Sequence, residues 1–170
     1  MISVDEFEKS VRSWANERVR QFPYTWPLKG GWEGWIQVEL MAYFFRKDST
    51  QDILREQSIY TNNRKHVDLL LNTKATMWED LIPVEIKAQS FENSDNFIEG
   101  VEEDMGKLHR ERQQSLDKCR CIAMALSYEQ NTINQLRDIR RDGKRVFAEI
   151  CRSSEISIWA AKLNRNNAWE

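Results

Sequence analysis

Two apolar segments of this chain contain charged residues, and no other feature of the sequence restricts its possible folds as strongly. Asp68 lies in the run VDLLL, and Glu85 and Lys87 lie in the run IPVEIKA. Short apolar runs of this kind, rich in β-branched residues, are typical of strands in a buried sheet. Because a buried charge without a partner is costly, we expect these three side chains to converge.

Helical and strand patterns alternate along the rest of the chain. Apolar residues at helical spacing predict four helices, over residues 5–20, 32–47, 95–116 and 128–142, the last capped by Ser127 and ended by Gly143. Alternating or continuous apolar runs predict six strands, over residues 53–60, 66–72, 81–88, 120–127, 144–151 and 156–163. The segment QFPYTWPLKGGW, with its prolines, glycines and aromatics, predicts an ordered loop.

This order of elements predicts one α/β domain over residues 1–170, in which the helix at 5–20 is an extension. The first three strands are expected to form an antiparallel meander. A helix then separates the third strand from the fourth, which allows a right-handed crossover between parallel strands. The predicted architecture is a three-layer α/β/α sandwich with a central mixed sheet.

Composition excludes several classes of protein. Of the 170 residues, 41% are hydrophobic and 31% are charged, and no apolar run is long enough to span a membrane, so no membrane partner is expected. The start MISVDEFEKSVRSW lacks the apolar stretch of a secretory signal, which predicts a cytoplasmic location. Three cysteines, two of them in one apolar strand, indicate packed, reduced thiols, since His66 and His109 lack metal-ligand spacing.

Side-chain alternation predicts the chemistry of the charged strand residues. Glu85 and Lys87 point to one face of their strand, and antiparallel pairing brings Asp68 opposite Glu85. Two carboxylates and the backbone carbonyl of Ile86 are oxygen ligands suited to Mg²⁺, and the Lys87 ammonium can orient or help deprotonate an attacking water. This set predicts hydrolysis of a phosphodiester. The alternative is a salt bridge between Lys87 and one acid at a strand edge.

The pattern of Asp68 followed by Glu85-Ile86-Lys87 resembles the PD-(D/E)XK nuclease superfamily, over about residues 30–127. Val67 stands where the name of the motif has a proline. The resemblance implies a restriction-endonuclease-like fold and a metal-dependent nuclease that uses Mg²⁺, with Mn²⁺ as a substitute. It favours DNA as the substrate and is compatible with a homodimer. The alternative function is a catalytically silent module of the same fold that recruits a protein or a nucleic acid.

The resemblance also implies a metal-binding carboxylate from a preceding helix and a polar residue two positions after the lysine. Glu33 is preferred to Glu39 for the first role, because it shares a helix face with apolar residues that must meet the sheet. It can instead be an ordinary carboxylate at a helix start. Gln89 fits the second role, in which it would orient the substrate or water.

Several other residues have both a structural and a functional interpretation. Asp104 and Lys107 are expected to form a pair on the helix surface, with support of the catalytic site as the alternative. Trp32 and Trp35 are expected in the core rather than stacked on a base. A localised basic face is compatible with the net charge of −2, although we expect a solvated helix end at its five residues: Arg137, Arg140, Arg141, Lys144 and Arg145.

Overall fold

The computed structural model of the chain describes residues 1–28, 31–153 and 156–170. Its helices are α1 (Val4–Arg18), α2 (Phe22–Thr25), α3 (Glu33–Lys47), α4 (Phe97–Arg110) and α5 (Gln130–Asp138). Its strands are β1 (Ile53–Gln57), β2 (Val67–Leu71), β3 (Ile82–Ala88), β4 (Cys121–Ser127), β5 (Arg140–Arg141), β6 (Lys144–Arg145), β7 (Phe147–Arg152) and β8 (Ser157–Leu163). Residues 29 and 30 of the predicted aromatic loop lie outside the described residues.

Six of these strands form one mixed sheet in the order β1-β2-β3-β4-β8-β7. The antiparallel meander predicted for the first three strands is confirmed. Strands β3 and β4 are parallel, as the crossover through α4 requires, and the remaining pairs are antiparallel. The mixed α/β class with a central mixed sheet is therefore confirmed, and the arrangement is compatible with a three-layer sandwich.

Each face of the sheet carries its own hydrophobic core. Helices α1 and α3 pack on one face, where Trp14, Ile36 and Leu40 are fully buried. Helices α4 and α5 pack on the other face, where Leu108 and Leu136 are fully buried. Because both faces are covered, strands β3 and β4 are apolar at nearly every position, which explains the runs that were visible in the sequence.

Helix α1 belongs to the hydrophobic core that it shares with α3. It begins with a capping box, in which Ser3 accepts a hydrogen bond from the backbone N–H of Glu6 and the Glu6 carboxylate accepts one from Ser3 N–H. Its apolar face, with Phe7 and Val11, is fully buried. The side chain of Asn72 then ties the N-terminus to the end of β2, because its amide bonds both the N–H and the carbonyl of Ile2.

The helix predicted over 128–142 is wrong in its last four residues. Helix α5 ends at Asp138, and a small antiparallel hairpin of β5 and β6 follows. Asp142 and Gly143 form its turn with φ of 51° and 75°, so Gly143 makes a hairpin turn rather than a helix end. An Asp-Gly pair favours this turn because both positions need positive φ. Ser127 does not cap α5, which begins after Glu129.

The remaining differences are small. The helix predicted over 95–116 is interrupted, since α4 ends at Arg110 and a separate 3₁₀ turn spans Gln114–Leu116. All three cysteines are free, and Cys119 and Cys121 are buried as predicted. Among the described residues, no helix combines the length and the apolar character that crossing a bilayer requires.

Replacement of Leu69 by Ala tests the packing of the sheet. Leu69 is fully buried in the centre of β2, and we expect Leu69→Ala to lower the free energy of unfolding by about 2–5 kcal/mol. Leu54→Ala is the matched control, since Leu54 on the neighbouring β1 is 46% exposed and its truncation should cost less than about 1 kcal/mol. Urea unfolding measures both, and equal losses in the two variants would contradict this packing.

Candidate active site

The candidate site lies where β2 and β3 separate. Their ladder pairs Leu71 with Ile82 and ends at the pair Leu69 and Val84. Asp68 and Glu85 occupy the next position in the same register, so the two carboxylates are neighbours across a gap between the strands. On its other edge β3 remains paired with β4 as far as Ala88. The predicted meeting of Asp68 and Glu85 is therefore present in the structure.

Asp68 fills the gap with its carboxylate. One oxygen accepts a 2.6 Å hydrogen bond from the backbone N–H of Ile86, and the other accepts a 2.8 Å bond from Gln37 Nε2 on α3. Gln37 is itself held by Arg55, whose Nε and Nη2 donate to Gln37 Oε1 at 3.0 and 2.7 Å. Because the N–H and C=O of a strand residue point to the same edge, the Ile86 carbonyl is directed toward this gap as well.

Glu85 is the most deeply buried of the predicted site residues that carry charge, with 3% of its surface exposed. The hydroxyl of Tyr60 donates a hydrogen bond to its carboxylate. Burial, followed by repulsion from Asp68 and Asp104, raises the pKa of Glu85 to about 9. Burial also raises the pKa of Asp68. Both shifts have the same largest cause, which is that burial removes the water that would stabilise the charged carboxylates.

Glu33 reaches the same region from the first turn of α3. Its carboxylate accepts a 3.1 Å hydrogen bond from the backbone N–H of Ala88 and lies 3.8 Å from Lys87 Nζ. Burial raises the pKa of Glu33 to about 7, although Lys87 and the Ala88 N–H oppose the shift. Glu39, the other helix carboxylate considered, lies elsewhere and pairs with Arg18 at 2.6 Å. Of the two, Glu33 is the residue that meets Lys87.

Lys87 makes its closest ion pair with Asp104 of α4, at 3.1 Å. Asp104 also binds Lys107 and is only 3% exposed, so the surface pair expected for Asp104 and Lys107 is in fact a buried bridge to Lys87. Burial lowers the pKa of Lys87, but attraction to Asp104 and Glu33 outweighs this effect, so the net shift is upward. Lys87 therefore keeps its proton at neutral pH.

Gln89 has a different environment from the one predicted. Its side chain is fully buried, and its amide oxygen accepts a 2.6 Å hydrogen bond from Ser127. Its amide nitrogen donates to Glu129 and Thr132 at 2.8 and 3.0 Å. The amide thus connects the end of β3 to the start of α5. Trp32 is 1% exposed and donates to the Gln89 carbonyl, so its predicted place in the core is confirmed.

A cavity of about 280 Å³ gives access to part of this cluster. Glu33 and Lys87 lie in its wall, together with five residues of the two adjoining loops and the end of β3: Gly31, Ala88, Ser90, Glu92 and Asn93. Solvent and a ligand can therefore reach the carboxylate of Glu33 and the ammonium of Lys87. These two groups are placed to contact a molecule bound in this cavity.

The donor set of this cluster fits a hard divalent cation. Four acids (Glu33, Asp68, Glu85 and Asp104) and two lysines (Lys87 and Lys107) carry a combined charge of −2 when all are ionised. A divalent cation would cancel that charge and lower the raised pKa values of Asp68 and Glu85. Within the described residues no group of three or more His, Cys, Asp or Glu is arranged to hold a metal. The ligands would be the two carboxylates and the Ile86 carbonyl, completed by water.

None of the protein-family models, curated proteins or solved structures with which the chain was compared matches it. The chemistry of the site is therefore inferred from its geometry and from the sequence pattern.

Stability should depend on pH in a direction that follows from the raised carboxyl pKa values. Between the usual glutamate value of 4.5 and about 9, the folded state binds more protons at Glu85 than the unfolded state does. In EDTA the free energy of unfolding should therefore fall as pH rises through this window. Lys87 and Lys107, whose pKa values are raised from 10.5, add no slope below that value.

Glu85→Gln should flatten this dependence by as much as about 1.4 kcal/mol per pH unit, because the neutral amide keeps the bond from Tyr60 without titrating. Urea unfolding at several pH values measures the slope. Glu103→Gln, an exposed change on α4, is the control and should keep the slope of the parent. A parental slope in Glu85→Gln would contradict the assignment.

Proposed function

We propose that this protein is a metal-dependent nuclease with a restriction-endonuclease-like core, which hydrolyses phosphodiester bonds in DNA with Mg²⁺, or with Mn²⁺ in its place. One observation carries the proposal: Asp68 and Glu85 lie side by side at the open edge of β3, and the same strand supplies Lys87. The resemblance of the sequence to the PD-(D/E)XK superfamily supports it, because that family uses these residue types at these strand positions.

Each site residue has a role that suits its environment. Asp68, Glu85 and the Ile86 carbonyl would hold the cation, which when bound would polarise the phosphate and acidify a water molecule. The Gln37 and Tyr60 hydrogen bonds keep the two carboxylates in place. Lys87, which stays protonated, would orient the attacking water and balance the charge that develops on the phosphate.

Glu33 is better suited than Lys87 to accept a proton from that water. Its pKa of about 7 lies near physiological pH, where a general base works best, and it lies in the wall of the cavity. Gln89 would act indirectly, by fixing the end of β3 against α5, rather than by touching the substrate.

The alternative, a silent binding module of the same fold, is favoured by one contact. Lys87 is already paired with Asp104, so the cluster is partly neutralised without a ligand. Burial of Glu85 beside Asp68 nevertheless raises the pKa values of both carboxyl groups, and a module without a cation has no physical need for such a pair. Calorimetric titration with Mn²⁺ separates the two functions, since the silent module should give no binding heat.

Lys87→Ala tests the catalytic assignment. We expect cleavage of DNA in Mg²⁺ to fall at least about a hundredfold, because the variant lacks the ammonium that stabilises the transition state. The assay uses plasmid, linear duplex, single-stranded DNA and RNA, each with Mg²⁺ and with Mn²⁺. Lys118→Ala, an exposed lysine, should cleave like the parent. Undiminished cleavage by a folded Lys87→Ala protein would exclude this role.

Glu33→Gln tests the proton acceptor. We expect kcat to fall about a hundredfold or more, and the rise of kcat around pH 7 in the parent to be absent from the variant. Glu39→Gln, on the same helix but paired with Arg18, should keep the parental pH profile. If Glu39→Gln loses the pH-dependent step and Glu33→Gln keeps it, the two roles are reversed.

A further inference from the structure

Three aromatic side chains form a cluster that the proposed mechanism does not use. Trp26 stacks on Tyr128 with ring centroids 3.8 Å apart and planes 24° apart, and Phe91 lies 4.8 Å from Trp26. We call Trp26, Phe91 and Tyr128 the aromatic platform. Phe91 is 66% exposed, so much of its ring is open to solvent although it contacts Trp26. The other two rings are half-buried and support it.

The loop that carries Phe91 forms part of the wall of the cavity that contains Glu33 and Lys87. Ser90 and Glu92, the residues on either side of Phe91, line that cavity. Gly31, just before α3, lines it as well. The exposed Phe91 ring is therefore carried by the same loop as three residues of the cavity wall, Ser90, Glu92 and Asn93.

The loop that carries Phe91 is held by hydrogen bonds. Ser90 N–H donates to the Asn93 side chain at 2.8 Å, and the Asn93 amide donates to the Ala88 carbonyl at 2.9 Å. On the other side, Tyr128 N–H donates to the Gln89 amide oxygen at 3.3 Å. Because these bonds fix the backbone that carries the ring before any ligand arrives, less conformational entropy is lost when a ligand packs on it.

We propose that the aromatic platform stacks an unpaired base of the DNA strand whose phosphate occupies the cavity, so that the preferred substrate is single-stranded or locally unpaired DNA. This inference rests on the proposed nuclease function. A Phe ring offers no hydrogen bonds, so it binds any base through its π face and confers little sequence preference. In an intact duplex the bases are stacked on each other, so no base offers a free face to the Phe91 ring.

Binding is tested with the full chain in the Lys87→Ala background, so that the DNA stays intact. Fluorescence anisotropy in Mg²⁺ measures the affinity for a labelled thymidine oligonucleotide and for a blunt duplex. We expect tighter binding of the single strand, and we expect Phe91→Ala to weaken that binding about tenfold while changing duplex affinity less than twofold. Phe91→Trp should restore single-strand affinity, because it supplies another π face.

Trp78→Ala is the matched control. Trp78 is 64% exposed but lies before the start of β3, at the opposite end of that strand from Lys87, so its loss should leave both affinities unchanged. Parental single-strand affinity in Phe91→Ala, an equal loss in Trp78→Ala, or no binding of the single strand would each overturn the inference.

The two proposals fail in different ways. If the parent cleaves duplex DNA and Phe91→Ala cleaves single strands equally well, the nuclease function stands and the aromatic platform has no part in it. If the parent cleaves none of the four substrates but its single-strand affinity depends on Phe91, the nuclease function is wrong and the base-stacking surface stands.

Discussion

The burial of Glu85 beside Asp68 is the constraint on which the rest of the site depends. Two neighbouring carboxylates in a desolvated position repel each other, and each loses hydration that the protein must replace. The structure replaces it with groups from four separate elements or loops: the Ile86 N–H on β3, Gln37 on α3, the Tyr60 hydroxyl after β1, and the lysines facing Asp104 on α4. These contacts hold helices on both faces of the sheet to one point on β3.

At this point the strands β2 and β3 separate. Had β2 and β3 continued to pair beyond Leu69 and Val84, the N–H of Ile86 would bond to a backbone carbonyl of β2. It bonds instead to the Asp68 side chain, which leaves room at the edge for charged groups. The ladder between these strands is therefore limited to three residue pairs, and the backbone hydrogen bonds beyond it are lost where the site lies. Backbone pairing is exchanged for side-chain hydrogen bonds that hold two carboxyl groups next to each other.

Sequence patterns predicted the elements and the two strand carboxylates well, because both depend on local periodicity. The hairpin at residues 140–145 was missed because helical spacing was extended past Asp138, although Asp142-Gly143 was a turn signal. Asp104 was treated as a surface residue, since nothing local distinguishes the edge of an apolar stripe from its centre. Gln89 was placed on the correct face, but its partners on α5 are about forty residues away, and alternation says nothing about them.

The same strand explains why the site and the aromatic platform have a fixed relation. From position 85 to 91, β3 and the loop after it supply a buried carboxylate, an ammonium, the N–H that holds Glu33, the amide that holds α5, and an exposed ring. The Gln89 amide anchors this segment midway and also bonds the backbone N–H of Tyr128, which supports the ring. Between Lys87 and Phe91, hydrogen bonds hold Gln89 and the backbone of Ala88 and Ser90. A base stacked on the ring would therefore help to set the position of its phosphate in the cavity, because both contacts belong to one hydrogen-bonded stretch of chain.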